Sequence, residues 1–300
     1  MEPVKPQHQR IMLQLLHNDL LQSSQIHTAL LEQGEDISLV TVKRNLSALV
    51  KEGLLLSRGA GRSTAYTLTT TGRLMMPIDA KKYCSTEPDK RYGQARYNFD
   101  LLVTLPTELF TKNDLHKLKA ATTNFIKQKK NVTPTIAKKE LERLVIELSW
   151  KSSRIEGNTY TLLDTEKLIL EQHESPGHDH TEAQMILNHK DTFTFVYQNA
   201  DQFREFSRSN LEHVHSLLTK DLDVSTGLRS SPVGVLGSRY RPLDNKHQIK
   251  EAIENLATAV HCMESPYAKS LLALLGISYI QPFEDGNKRS SRLMANALLL

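Results

Sequence analysis

The sequence predicts a mainly α-helical protein, and three observations carry that reading. From about residue 137 to the end, apolar residues recur at three- and four-residue spacing almost without a break. The exception there is "SSPVGVLGSRYRP", where Val233, Val235 and Tyr240 with Gly234 and Gly237 have the pattern of a small β-hairpin. The first 76 residues compress three helical patterns and two short alternating strands into a module of their own. At 300 residues about two domains are expected. The divisions are drawn at 1–76, a connector with a helical arm at 77–136, and a helical domain at 137–300.

In the first module, "QRIMLQLLHNDL" has helical apolar spacing, and "SSQIHTALLEQG" opens on serine caps and ends at Gly34. "SLVTVKRNLSALVKEG" repeats that grammar, with Ser38 as N-cap and Gly53 as the stop. "LLLSRGAGRSTAYTLT" then supplies two strands around a glycine-rich turn. Three helices and a hairpin in that order resemble a winged helix-turn-helix. On that resemblance Lys43 and Arg44 lie on the recognition helix and Arg58 and Arg62 at the wing tip, where DNA phosphates are met. The acids Asp19, Glu32, Glu35, Asp36 and Glu52 keep the module's net charge small, so DNA contact and protein contact both stay open.

Pro77, Pro88, Pro106 and Pro134 punctuate the connector, where "RYGQARYNFDLLV" reads as an arm and "TKNDLHKLKAATTNFIKQ" as a short helix. Hydrophobic residues at 39% and charged residues at 24% fit a globular chain with a real core. No apolar run approaches the ~20 residues of a membrane span, and "MEPVKPQHQR" lacks the apolar centre of a signal peptide. Cys84 and Cys262 are too far apart for a zinc knuckle or a disulfide framework, and a cytoplasmic location is expected. A net charge of +4 permits an anionic partner without demanding one. The terminal "LMANALLL" stops inside a helical pattern, and the expectation is that the pattern continues past residue 300.

The chemistry concentrates in "QPFEDGNKRSSR", 281–292, set between two apolar helices. Pro282 ends one helix, and Gly286 offers a permissive backbone just before the next begins near Asn287. Free amides at that start make an anion site. Arg289 and Arg292 project from one side of the helix, and guanidinium forks suit phosphate oxygens. Asp285 is placed to hold magnesium, which takes one or two carboxylates together with phosphates. These residues read as a triphosphate site.

The stretch resembles the signature of the Fic family, HPFx[DE]GN[GK]RxxR, at every fixed position except the first. The likeness runs over about 137–300, including "SSRIEGNTYTLLDTEKLI", "MILNHKDTFTFV" and "GLRSSPVGVLGSRYRP". It implies a Fic-type helical domain with a small β-hairpin flap, preceded here by the winged-helix module. It implies transfer of AMP from ATP, with Mg2+, to a hydroxyl side chain of a target protein. On the resemblance Asp285 holds the metal, Asn287 and Arg289 the α- and β-phosphates, Arg292 the γ-phosphate, and Phe283 anchors the loop; Gly286 and Lys288 complete the motif. The flap (Val233, Gly234, Val235, Leu236, Tyr240) receives the target by strand addition.

Gln281 departs from the family, which has a histidine there as general base. A neutral amide cannot take up a proton near pH 7. "LERLVIELSWKSSRIEGN" has an apolar stripe at 141, 144, 145, 148 and 155, with Ser152 and Glu156 on its edge and Gly157 as its stop. It resembles the family's inhibitory motif [ST]xxxE[GN], whose glutamate pairs with the second arginine, here Arg292. The histidines of "HESPGHDHTE" (His173, His178, His180) and of "EHVH" (His213, His215) lack metal-ligand spacing, and "GAGR" at 59–62 lacks a P-loop lysine. Two functions are carried forward: an autoinhibited AMP transferase impaired by Gln281, and a non-catalytic nucleotide-sensing regulator that acts through the winged helix. The target and the oligomeric state are left open.

Overall fold

The computed structural model describes residues 4–300. They fall into two compact units, residues 4–112 with Gly237–Arg239, and Asn113–Leu236 with Tyr240–Leu300.

The first unit opens with α1 (Pro6–His17), β1 (Leu21–Gln22), α2 (Ser23–Glu32) and α3 (Leu39–Lys51), followed by β2 (Leu55–Arg58) and β3 (Ala65–Leu68). The sheet is antiparallel in the order β1-β3-β2, with Leu21 opposite Tyr66 and Leu55 opposite Leu68. Its core takes Ile11, Met12 and Leu15 from α1, Ile26 and Leu30 from α2, and Val42, Leu46 and Leu49 from α3. Those spacings of three and four put each set on one helix face. Ser38 caps α3 as its sequence suggests, accepting from Thr41 N at 3.2 Å. The cap of α2 is Gln22 rather than a serine. It leaves β1 in an extended conformation, and its N–H donates to Gln25 Oε1 at 2.7 Å in a capping box. Two short helices, α4 (Thr70–Leu74) and α5 (Ala80–Ser85), continue the unit.

The second unit is helical. The 111–128 pattern forms α6, which runs on to Lys130 (Lys112–Lys130), and α7 (Pro134–Ile155) follows a Thr133 cap. Then come α8 (Leu162–Glu171), α9 (His180–Gln198), α10 (Arg208–Leu218), α11 (Lys246–Cys262), α12 (Pro266–Ile280) and α13 (Asn287–Ala297). α13 lies at the centre, packed on α12, α10 and α9, while α7 packs on α9. A Cβ on Gly276 would fall 2.3 Å from Leu256 Cδ1, so the glycine is what lets α12 close on α11.

Two expectations need correction. The buried face of α7 is Val145, Ile146, Ser149, Ser152 and Ser153, whereas Leu144 and Ile155 are exposed. Small hydroxyl residues join two aliphatic ones on this face, and Ser149 meets His189 on α9. The 230–242 segment is also not a hairpin. No strand is formed there; it is an extended loop with a turn at Leu236–Gly237. Pro232 and Pro242 remove two donors from a stretch that would have to pair with itself.

Candidate active site

α12 ends at Ile280 because Gln281 takes a left-handed conformation, φ 51°, and Pro282 cannot continue the helix. Phe283 is fully buried and stacks on the His215 ring at 3.7 Å between centroids. Gly286 has φ 73°, a left-handed conformation that favours glycine. α13 then starts at Asn287 with no side-chain cap, which leaves its first amides directed outward.

Asn287 locks the turn from inside. Its Oδ1 accepts from Phe283 N at 2.9 Å, and its Nδ2 donates to Phe283 O at 2.8 Å. The side chain that the motif reading assigns to phosphate is thus committed to the loop backbone. Arg289 is 1% exposed, and its Nη2 donates to Asp285 Oδ2 at 2.8 Å. Its Nε and Nη1 are buried with no partner. Asp285 keeps an exposed carboxylate, and Lys288 points to solvent.

Arg292 is engaged through Nη2 and Nε. Its Nη2 donates to Glu156 Oε1 at 2.8 Å and to Ser152 O at 3.0 Å, and its Nε donates to Ser152 Oγ at 3.0 Å. Ser152, Glu156 and Arg292 therefore stand together across 140 residues of sequence. Glu156 is the C-cap of α7, and Gly157 turns the chain away at φ 99°.

Gln281 is buried. Its Nε2 donates to Ser278 O at 2.7 Å, which holds the amide against the end of α12. Its carbonyl accepts from Arg229 Nε at 2.7 Å. Arg229, 2% exposed, also donates to Ser231 O and Leu243 O, and its own N–H reaches Pro282 O at 3.1 Å. Burial draws this guanidinium below its ordinary value, opposed by Asp244 and Tyr240. One side chain ties the 229–243 loop to the 281–282 turn, and it stands out in no sequence pattern.

Two buried histidines back the loop. His215 Nε2 lies 3.1 Å from Asp285 O; burial brings its pKa down to about 4, with Arg289 adding to the shift and the Asp285 contacts opposing it. His189 Nδ1 lies 3.2 Å from Ser149 Oγ, and burial, then Arg292 and Arg289, brings its pKa down to about 3. A sequence signal for His215 existed: Leu211, Val214, His215 and Leu218 share the buried face of α10. Among the described residues no group of three or more His, Cys, Asp or Glu is arranged to hold a metal ion.

Of the flap residues, Val233 and Val235 are half-buried, Gly234 is exposed, and Leu236 is completely exposed. Tyr240 stacks on Tyr279 and donates to its carbonyl at 2.9 Å. In the first unit Lys43, Arg44, Arg58 and Arg62 are all exposed. Among the described residues no helix is long and apolar enough to cross a membrane.

Residues 205–299, α10 to α13 with the motif loop, match the family model described as Fic/DOC family. Two solved structures are similar in fold. One is a Fic domain containing signaling protein from Bacteroides thetaiotaomicron, at 21% identity and a TM-score of 0.50, covering 56% of this chain and 66% of that one. The other is a Fic family protein from Desulfovibrio desulfuricans, at 23% identity and a TM-score of 0.53, covering 65% of this chain and 59% of that one. The chain thus spans about 59–66% of the length of those two proteins. Members of the family generally transfer a nucleoside monophosphate to proteins. Residues 205–299 are thus similar in sequence to the Fic/DOC family, and the second unit is similar in fold to the two Fic structures.

Proposed function

We propose that this protein is a Fic-type adenylyltransferase, built to bind ATP and Mg2+ and to pass AMP to a hydroxyl side chain of a target protein. In this reading Glu156 restrains it and Gln281 slows it. The observation that carries the proposal is Arg289. A guanidinium 1% exposed, with two donor atoms unpartnered, stands beside an uncapped helix start. Leaving buried charged donors unmatched is costly, and an anion at that helix end satisfies them.

Phosphate oxygens would take the free donors of Arg289 and the first amides of α13. Asp285, exposed and next to them, would hold magnesium, whose charge offsets that of the phosphates. Asn287 acts by fixing the loop. Arg292 is the natural γ-phosphate partner, and Glu156 occupies it. In the transfer a target hydroxyl oxygen bonds to the α-phosphorus, pyrophosphate leaves, and the hydroxyl proton needs an acceptor. The Gln281 amide offers none, and loss of a general base costs on the order of 10²–10⁴ in rate.

The alternative is a nucleotide-sensing regulator that works through the winged helix. It is favoured by Gln281, whose Nε2 is tied to Ser278 O rather than directed at a substrate. Four variants separate these readings by α-labelled ATP transfer alongside ATP–magnesium binding: the chain as it stands, Gln281→His, Glu156→Gly, and both changes together. The chain as it stands should bind nucleotide and label little. The double variant should label at least about 100-fold faster than either single change. Glu156→Gly alone matching the double variant would remove Gln281 from the account. A double variant that binds ATP and transfers nothing would leave the regulator.

A further inference from the structure

α6 is unlike every other helix of the second unit. None of its residues is buried, and from Lys119 through Glu140 every residue is exposed. Between 112 and 139 the chain carries eight lysines and one acid, while the whole sequence nets only +4, so the remainder is net negative. Lys117, Lys119, Lys127, Lys129, Lys130, Lys138 and Lys139 make no ion pair among the described residues.

The lysines are ordered. At 100° per residue, Lys112, His116, Lys119, Thr123, Lys127 and Lys130 fall in one line along α6. Asn124 flanks the line, and a shallow depression runs between His116, Lys119, Thr123, Asn124 and Lys127. From His116 to Lys130 the ridge is about 21 Å long. A nucleic acid duplex carries one negative charge per about 1.7 Å, or about a dozen over that length. Amide and hydroxyl groups set between the lysines are the other usual donors to phosphate and sugar.

We propose that the lysine ridge of α6 is a nucleic-acid interface that holds a duplex through its phosphates, without reading its sequence. Three other occupants fit less well. A second copy of this chain would bring lysines against lysines. A membrane would need the whole apolar side of α6 free. Phe125 and Ile126 are exposed, but Leu115 and Leu118 are half-buried and Thr122 Oγ1 lies 2.7 Å from Tyr267 OH on α12, which holds the first half of that side against the rest of the second unit. An acidic peptide offers a short patch rather than a charged line of this length. The interface depends on α6 alone, so it stands or falls apart from the nucleotide site.

The test is fluorescence anisotropy of a labelled 20-base-pair DNA duplex of random sequence, titrated with the full chain between 50 and 200 mM NaCl. The triple variant Lys119→Gln/Lys127→Gln/Lys130→Gln is compared with Lys167→Gln/Lys220→Gln/Lys246→Gln, which makes the same charge change on other exposed lysines. The ridge variant should bind at least about 10-fold more weakly at 100 mM NaCl, with its log–log salt slope shallower by roughly two to three. The control variant should keep the slope of the unaltered chain, and circular dichroism should be alike for all three. No binding by the unaltered chain overturns the proposal, as does equal weakening in both variants or an unchanged slope in the ridge variant. Binding of anionic vesicles through Phe125 and Ile126, lost on Phe125→Ser/Ile126→Ser with DNA affinity absent, would assign the arm to membranes instead.

Discussion

Two loops of the second unit are joined at Arg229, and they are built on opposite terms. In the 281–286 turn the buried start is bonded throughout: Gln281 N and O, Pro282 O, and Phe283 N and O all have partners. In the 232–236 stretch no residue makes a hydrogen bond among the described residues, and Leu236 lies wholly in solvent. The difference follows burial. A buried backbone must be satisfied internally, which fixes it in one shape; an exposed one is satisfied by water and stays free to exchange water for another chain. The first loop suits a preorganised anion site. The second suits a docking edge.

Breaking the buried side should have the largest effect. Asn287→Ala removes both bonds to Phe283 and leaves a buried N–H and C=O unmatched, at a cost of about 2–4 kcal/mol. Urea unfolding should show the midpoint falling in proportion, with the slope unchanged. Asn287→Asp should recover part of the loss, because its carboxylate can still accept from Phe283 N. An alanine variant as stable as the unaltered chain would mean that the turn is held from elsewhere, chiefly by Arg229 and the Phe283–His215 stack.

Acid should find the same side of the comparison with a smaller effect. The folded pKa of His189, about 3, lies below its ordinary 6.5. The unfolded chain therefore binds the proton first. The stability associated with neutral His189 is complete above pH 6.5 and is lost as pH falls toward 3. Between pH 6.5 and 5 that amounts to about 2 kcal/mol. The charges facing His189 are Arg289 and Arg292, both of which oppose its protonation. In His189→Gln the unfolding free energy should change less over that interval, with a residual slope of the same sign from His215. An identical pH slope in the variant would place the acid sensitivity elsewhere.

The same contrast explains what the sequence could disclose. The motif turn was legible because an acid, two arginines and an asparagine between two apolar helices had to find partners, and the pairing of Arg292 with Glu156 is among them. The work of Asn287 was not legible, since an amide that bonds backbone four residues away has the same letters as one that bonds phosphate. Arg229 was missed because its partner Gln281 lies 52 residues on. The α7 face was misread because apolar periodicity counts leucines, whereas the buried face includes Ser149, Ser152 and Ser153, of which Ser149 reaches His189 on α9 and Ser152 reaches Arg292 on α13. The 230–242 alternation was real, and Val233 and Val235 are half-buried between exposed neighbours. What failed was the inference of a second strand, because pairing is a property of two segments and periodicity reports on one.

The smallest effect is expected on the exposed side, and there it is the most informative. Val235→Pro removes one backbone donor and stiffens φ at a residue whose N–H has no partner among the described residues. No hydrogen bond is lost and the side chain is only half-buried, so stability should stay within about 0.5 kcal/mol of the unaltered chain. ATP affinity should not move, since the phosphate groups belong to the other loop. If 232–236 takes up a target by strand addition, the missing donor interrupts the new ladder. AMP transfer to a target protein, measured in the Gln281→His/Glu156→Gly background, should then fall to baseline while nucleotide binding is retained. Parallel loss of stability, ATP binding and transfer would show that the extended stretch supports the buried turn, and the two loops would no longer be separable. Unchanged transfer would leave 232–236 as exposed chain and move target recognition to another surface.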